Sequence, residues 1–214
     1  MRKILTTLIC ISLFSCSTKK AELSSMQKFT LASNISSLEK TILNQFLTNE
    51  IKKDKYSFSN EVIVIEEAIP TIKNIEAYQS AYIGYHLHNK PTLEDNNRLG
   101  WVIDSIQIMK RKNETKKEKK YLWEKSNFIN ENIKIMQVKS FKKMLNEGTY
   151  LQMNESLIIY VSRPLILDEN NALISFSCGS SKLGFTEITH FTALLKKIKN
   201  HWLKTIEYSD GVIN

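Results

Sequence analysis

The sequence predicts an α+β fold in which an N-terminal amphipathic helix packs on a mostly antiparallel β-sheet ending in a C-terminal β-meander. Three observations predict it. Leu38, Ile42, Leu43, Phe46 and Leu47 recur at helical spacing behind a Ser36–Glu39 pair with capping-box separation. Val62-Ile63-Val64-Ile65 is a short β-branched run suited to a buried strand. From Leu157 onward, apolar stretches of strand length alternate with short polar turns, and no βαβ rhythm interrupts them.

The chain opens with Arg2 and Lys3, followed by an apolar run from Ile4 to Phe14 that only Thr6, Thr7 and Ser12 break. Ser15 then stands directly before Cys16. This is the layout of a secretory signal peptide, too short for a comfortable membrane span. Leu13-Phe14-Ser15-Cys16 resembles the lipobox of bacterial lipoproteins, with Phe14 bulkier than the usual occupant. The resemblance implies that the Cys16 thiol receives a diacylglycerol, that cleavage follows Ser15, and that the freed amine is acylated. An ordinary signal peptide followed by an incidental cysteine is the plainer alternative.

Removing residues 1–15 from the 214 leaves 199, enough for one sizeable domain. A 42% hydrophobic share with 24% charged residues argues against wholesale disorder. Arg2 and Lys3 leave with the leader, so the formal charge falls from +8 to +6. An exported basic chain meets anionic lipid headgroups or acidic polysaccharide more readily than nucleic acid, and no nucleic-acid partner is expected. Of the three cysteines, Cys10 departs with the leader and Cys16 takes lipid, leaving Cys178 without an internal disulfide partner. No second apolar run of spanning length follows, so the lipid would be the sole anchor.

Residues 16–33, rich in Ser, Thr, Lys and Ala, read as a flexible tether to one domain over residues 34–214. As coil, a tether of this length spans about 20 to 25 Å. Within the domain, the Ser36 helix extends through Ile51 to a stop at Lys52-Lys53-Asp54-Lys55. After Pro70, the spacing of Ile72, Ile75, Tyr78 and Tyr82 predicts a short second helix. Gly84 to Gly100 reads as a long loop, and Trp101 to Met109 has strand composition. Lys110 to Lys120 holds seven basic residues among eleven and reads as a charged connection between strands. Tyr121 to Phe128 resumes apolar spacing. Ile133 to Val138 alternates as a half-buried strand, and Ser140 to Leu145 forms a helical turn or two closed by Gly148. Leu157 to Leu167 is strand-like with Pro164 at an edge or bulge. Turns at Asp168–Asn171, Gly179–Gly184 and Asn200-His201 then separate strands over Ala172–Cys178, Phe185–Ile198 and Trp202–Tyr208.

Ser162-Arg163-Pro164, Ala172-Leu173-Ile174-Ser175-Phe176, Leu194-Leu195-Lys196-Lys197 and Trp202 resemble a segment found in uncharacterised lipoproteins of Bacteroidota. That covers about a quarter of the chain. Many such relatives carry two cysteines at the corner where this chain has only Cys178. The resemblance implies an envelope lipoprotein, anchored at the outer membrane on its periplasmic or surface face, and it implies no activity.

Four groups of residues are candidates for chemistry. Cys178, His190 and Glu187 supply the residue types of a thiol nucleophile, a base and an orienting group. A cysteine ending a strand is also an ordinary small buried hydrophobe. His86 and His88 form an H-x-H pair that a strand would place on one face at metal-ligand distance, with Glu94 or Asp95 as further ligands. Without a third fixed ligand a solvated loop is the plainer reading, and neither metal nor cofactor is expected. Lys116, Lys117, Lys119 and Lys120, followed by Tyr121 and Trp123, could hold an anionic surface with the aromatics dipping into it. In the plainer reading those aromatics turn inward. Asp104-Ser105-Ile106 resembles the acceptor pattern for O-glycosylation in Bacteroidota, at a serine inside an expected strand. The Ser-x-x-Lys spacings at Ser17, Ser37 and Ser140 lack the companion motifs of penicillin-recognising enzymes. The expected function is a lipid-anchored, non-catalytic binding or structural module with a protein or polysaccharide partner. The alternative is a small extracytoplasmic hydrolase or thiol enzyme using Cys178 and His190.

Overall fold

The computed structural model describes residues 35–59, 61–89 and 100–209. The expected signal segment, Cys16, the tether of residues 16–33, Glu94, Asp95 and the side chain of His88 lie outside the described residues.

Helix α1, Ser37–Glu50, starts where the capping pair predicts. The Ser36 hydroxyl accepts from Glu39 N–H at 3.2 Å, and Glu39 Oε2 accepts from Ser36 N–H at 2.9 Å. Two orphan donors of the first turn are thereby satisfied. Ile42, Leu43, Phe46 and Leu47 are buried, whereas Leu38 at the helix start is exposed.

Among the described residues, seven strands form one mixed sheet: β1 (Glu61–Ile65), β2 (Ile133–Met136), β3 (Ser156–Val161), β4 (Leu165–Ile166), β5 (Asn171–Ser180), β6 (Glu187–Ile198) and β7 (His201–Tyr208). The order is β2-β1-β3-β5-β6-β7, with β4 paired to β5. The β3-β5-β6-β7 pairings are antiparallel, and β5-β6-β7 is the expected meander. The β1 pairings with β2 and β3 are both parallel, so the connections between these strands must cross over. Those crossovers carry helices α2 (Ile72–His88), α3 (Ser105–Thr115) and α4 (Val138–Glu147). The fold is therefore α+β, with α1 packed on a mostly antiparallel sheet.

The sheet is covered on both faces. In β5, Ala172, Ile174, Phe176 and Cys178 point to the α1 side, where they join Phe46, Leu47, Trp123, Leu195 and Trp202. Leu173 points the other way, joining Ile75 and Tyr78 of α2 and Ile108 of α3. Farther along that second face, Ile63, Ile65 and Ile158 meet Phe141 of α4. Strands buried on both faces read as unbroken apolar runs, which is the physical content of Val62–Ile65. Trp202 is 2% exposed, and its N–H donates to Gln45 Oε1 of α1 at 2.7 Å. This binds the last hairpin to the first helix.

Several expectations are corrected. Trp101–Met109 is not a strand: Asp104 caps α3 by accepting from Gln107 N–H at 2.8 Å, while Gln107 returns the bond. Ser105 is thus an exposed first residue of a helix. Helix α2 runs to His88, so the loop expected from Gly84 starts later. Lys110–Lys120 does not connect strands, since its first half is the end of α3. The β2 strand stops at Met136, and α4 begins at Val138 and closes on Gly148 in the left-handed conformation. The last hairpin turns at Lys199-Asn200, both at positive φ, rather than at Asn200-His201.

Glu50 ends α1 with its side chain 2% exposed, at the helix pole where a carboxylate is least favoured. Lys53 Nζ at 2.7 Å and Lys204 Nζ at 2.8 Å compensate it, and the Tyr56 hydroxyl donates at 3.4 Å. Burial alone would raise the Glu50 carboxyl, but hydrogen bonds and charge from Lys204 and Lys53 outweigh it and hold the carboxyl below its ordinary value. A depressed carboxylate contributes stability that is present above its unfolded value, about 4.5, and is lost as pH falls through the folded one. Melting temperature measured from pH 7 to pH 3 should therefore fall on the acid side, and Glu50→Gln should flatten part of that fall. An unchanged acid limb in the variant would remove Glu50 from the explanation.

Candidate functional site

The thiol set does not come together. Cys178 is 1% exposed on the α1 side of β5, in one cluster with Phe46, Tyr56 and Phe176. Burial pushes its thiol up to about 11, only partly offset by a hydrogen bond with Tyr56. His190 stands opposite Ser177 in the β5–β6 register, and side chains alternate along a strand, so it points to the other face. The sheet itself separates the thiol from the imidazole. Glu187 does meet His190, with Oε1 at 3.7 Å from Nδ1. Glu187 also accepts from the Ser177 hydroxyl. The Ser177 hydroxyl thus donates to a carboxylate, whereas a serine nucleophile needs an imidazole as its base. A cavity of about 170 Å³ adjoins Ser177, Cys178 and Glu187 but not His190, walled by Phe141, Leu145, Ile158, Tyr160 and Phe185.

The histidine pair falls at the end of α2 rather than in a strand or loop. Residues two apart on a helix do not share a face, so the strand geometry that would pair His86 with His88 is absent. His86 stacks on Tyr82 with ring centroids 3.9 Å apart, and its Nδ1 donates to the Tyr82 carbonyl at 2.7 Å. Among the described residues no three His, Cys, Asp or Glu side chains cluster as metal ligands.

The basic run has the most to offer. Lys116 caps the C-terminus of α3, and the chain then passes Ala68–Ile72, the segment leading into α2. Between them lies a groove of about 300 Å³, lined by Lys116, Lys119 and Lys120 on one wall and by Pro70, Thr71 and Ile72 on the other. Lys117 does not line it. Thr71 makes no side-chain cap to α2, and no acidic residue occupies that first turn, so the positive pole of the helix adds to the lysines. Glu118 is the acid within the wall, and Lys120 pairs with Glu67 at 2.7 Å. The aromatics after the run turn inward. Trp123 is 2% exposed and donates to the Val161 carbonyl at 3.1 Å, and Tyr121 is half-buried with Arg163 over its ring at 5.1 Å. The groove can therefore hold an acidic group by charge and backbone, without aromatic insertion. Its second wall was not foreseen, because Ala68–Ile72 carries no polar side chain except Thr71.

A buried polar cluster, which no motif in the sequence announces, joins α2 to the sheet. Asn74 of α2 is fully buried and accepts from the Ser162 hydroxyl at 2.8 Å and the Ser175 hydroxyl at 2.5 Å. Its amide donates to the Arg163 carbonyl at 3.0 Å, and Ser175 continues to Thr192 at 2.7 Å. Arg163 itself binds Glu39 Oε1 through Nε at 3.1 Å and Nη2 at 2.7 Å. Every member has partners inside the protein, so this cluster fixes packing. A polar Asn within the apolar spacing of Ile72, Ile75 and Tyr78 was the available signal.

Cys178 should behave as a structural thiol. Alkylation should be slow in the native chain and fast once it is unfolded, and His190→Ala should leave the native rate unchanged. Cys178→Ala should cost about 1 to 2 kcal/mol by denaturant titration, as for a small buried group. Native labelling faster than a free model thiol would contradict this placement.

No family model matches the chain, and neither a curated protein nor a solved structure matches it, so function rests on the chemistry of the site.

Proposed function

We propose that this chain is a lipid-anchored binding module of the cell envelope, tethered through Cys16, and that Lys116, Lys119 and Lys120 receive an acidic partner. The lipobox-like Leu13–Cys16 segment supports the anchor, and the resemblance of the C-terminal segment to Bacteroidota lipoproteins supports the envelope address. The observation that carries the binding role is the groove between the lysine segment and the first turn of α2. From Ser105 to Lys120 there are seven basic and two acidic residues, a net charge of +5 in one α3-centred segment. Charge of this density steers an anionic partner and contributes about 1 kcal/mol per lysine at an anionic surface. The thiol-enzyme alternative is disfavoured by the placement of Cys178 and His190 on opposite faces of the sheet.

Two measurements on the full chain test this reading. Cys16→Ala should abolish fatty-acid labelling and release the protein from the membrane fraction. If the variant stays bound without label, the apolar leader is itself the anchor. In detergent, with heparin as the polyanion probe, Lys116→Gln/Lys119→Gln/Lys120→Gln should elute at clearly lower salt than Lys139→Gln/Lys142→Gln/Lys143→Gln. The second variant removes equal charge from exposed positions on α4. Equal elution of the two would reduce the groove to a contributor of net charge.

A further inference from the structure

Because the chain after Trp101 enters helix α3 at Ser105 rather than a strand, an apolar surface lies exposed beside α2. Helices α2 and α3 lie side by side, with Gln79 Nε2 at 3.6 Å from Met109 Sδ and Lys112 Nζ at 2.8 Å from Gln79 Oε1. Ile83 and Leu87 follow Gln79 at successive fourth positions, and Ile106 precedes Met109 by three, so all four belong to adjoining helix stripes. They are 46%, 74%, 77% and 48% exposed respectively. Single exposed aliphatics are ordinary, but a contiguous group on neighbouring helices marks an interaction surface.

Charge surrounds this group asymmetrically. Lys110 is exposed beside Met109, and Lys112 and Lys116 continue the Met109 stripe toward the lysine groove. Among the acids on this layer, Glu76 pairs with Lys73 at 3.2 Å and Lys112 at 4.0 Å, Glu114 pairs with Arg111 at 3.2 Å, and the exposed Asp104 caps α3 by accepting from Gln107 N–H at 2.8 Å. One end of the α2–α3 layer is thus aliphatic and the other basic.

We propose that the outer face of α2 and α3 docks on an anionic lipid bilayer, with Ile83, Leu87, Ile106 and Met109 entering the headgroup boundary and Lys110 and Lys116 meeting the headgroup charge. This rests on the anchored reading above and deepens it by naming the partner. The composition selects lipid over protein. The lysine border is what favours lipid: protein interfaces are depleted in lysine, whereas helices that lie in a membrane interface carry lysine beside their apolar face. Lysine stems can lie along the aliphatic patch while their ammonium groups remain at headgroup level. A short tether to the same bilayer gives a high effective concentration, so weak intrinsic affinity suffices for docking.

The test uses the full lipidated chain reconstituted in vesicles, with hydroxyl-radical footprinting read by peptide mass spectrometry. Oxidation at Ile83, Leu87, Ile106 and Met109 should fall roughly threefold or more in phosphatidylglycerol-containing vesicles relative to phosphatidylcholine vesicles, as immersion requires. Exposed Ile129 and Leu151, outside this layer, should not change. Protection should reverse in about 0.5 M salt, where the Debye length is about 4 to 5 Å. In Ile106→Asp/Met109→Asp, checked for an unchanged melting temperature, protection at Ile83 and Leu87 should disappear. Equal oxidation in both vesicle types overturns the inference. So does protection already present in the lipid-free chain, which would mean that the chain or a second copy covers the face. Vesicle flotation separates the two proposals: a chain that floats through Cys16 but remains unprotected fails only this inference, and one that fails to float fails the anchor.

Discussion

Asn74 has no route to water, so its amide can be satisfied only where α2 lies across Ser162, Ser175 and the Arg163 carbonyl. Hydrophobic burial is nearly indifferent to small slides of a helix over a sheet, whereas an unpaired buried amide costs on the order of 1 to 3 kcal/mol. The polar cluster therefore converts a general attraction between α2 and the sheet into one seat. From that seat follow the position of the groove at the first turn of α2 and the alignment of α2 with α3. A second polar link acts on the opposite face. There Arg163 reaches Glu39, the residue whose other carboxylate oxygen caps α1. Adjacent residues of one short segment thus pin helices on both sides of the sheet.

Ser162, Arg163 and Trp202 have packing roles. Ser162 belongs to the Asn74 cluster, Arg163 to the α1 link, and Trp202 to the contact between the last hairpin and α1. Loss of a large buried aromatic typically costs about 3 to 5 kcal/mol, a substantial part of a domain's stability. Such residues specify a framework and leave its exposed surface open to different uses. The basic segment and the α2–α3 face lie outside these packing residues, and both proposals draw on them.

Much of the framework was legible because local and tertiary signals agreed. The Ser36–Glu39 capping box, the Gly148 stop and the β5–β7 alternation each match their elements. The parallel edge was less legible. Val62–Ile65 indicates burial on both faces, but pairing partners lie far along the chain. Trp101–Met109 misleads because Ile103, Ile106 and Ile108 suit either element, and the Asp104–Gln107 capping pair decides for helix. Site residues were legible as types and not as neighbours. Cys178 and His190 look close in a hairpin, yet one step of register places them on opposite faces. The lysine run was conspicuous, while its groove depended on an apolar segment brought from Ala68–Ile72.

The seating role of Asn74 is the claim on which the geometry of both proposed surfaces rests, and a double-mutant cycle tests it directly. Asn74→Leu, Ser175→Ala and the double variant would be compared by urea denaturation. Asn74→Leu alone should cost roughly 2 to 4 kcal/mol, since it leaves hydroxyl and carbonyl groups unpaired in the interior. The two changes should couple by more than about 1 kcal/mol, because removing both partners relieves the unpaired group. Additivity to within about 0.5 kcal/mol would show that Asn74 and Ser175 act independently and that α2 is seated by apolar packing alone.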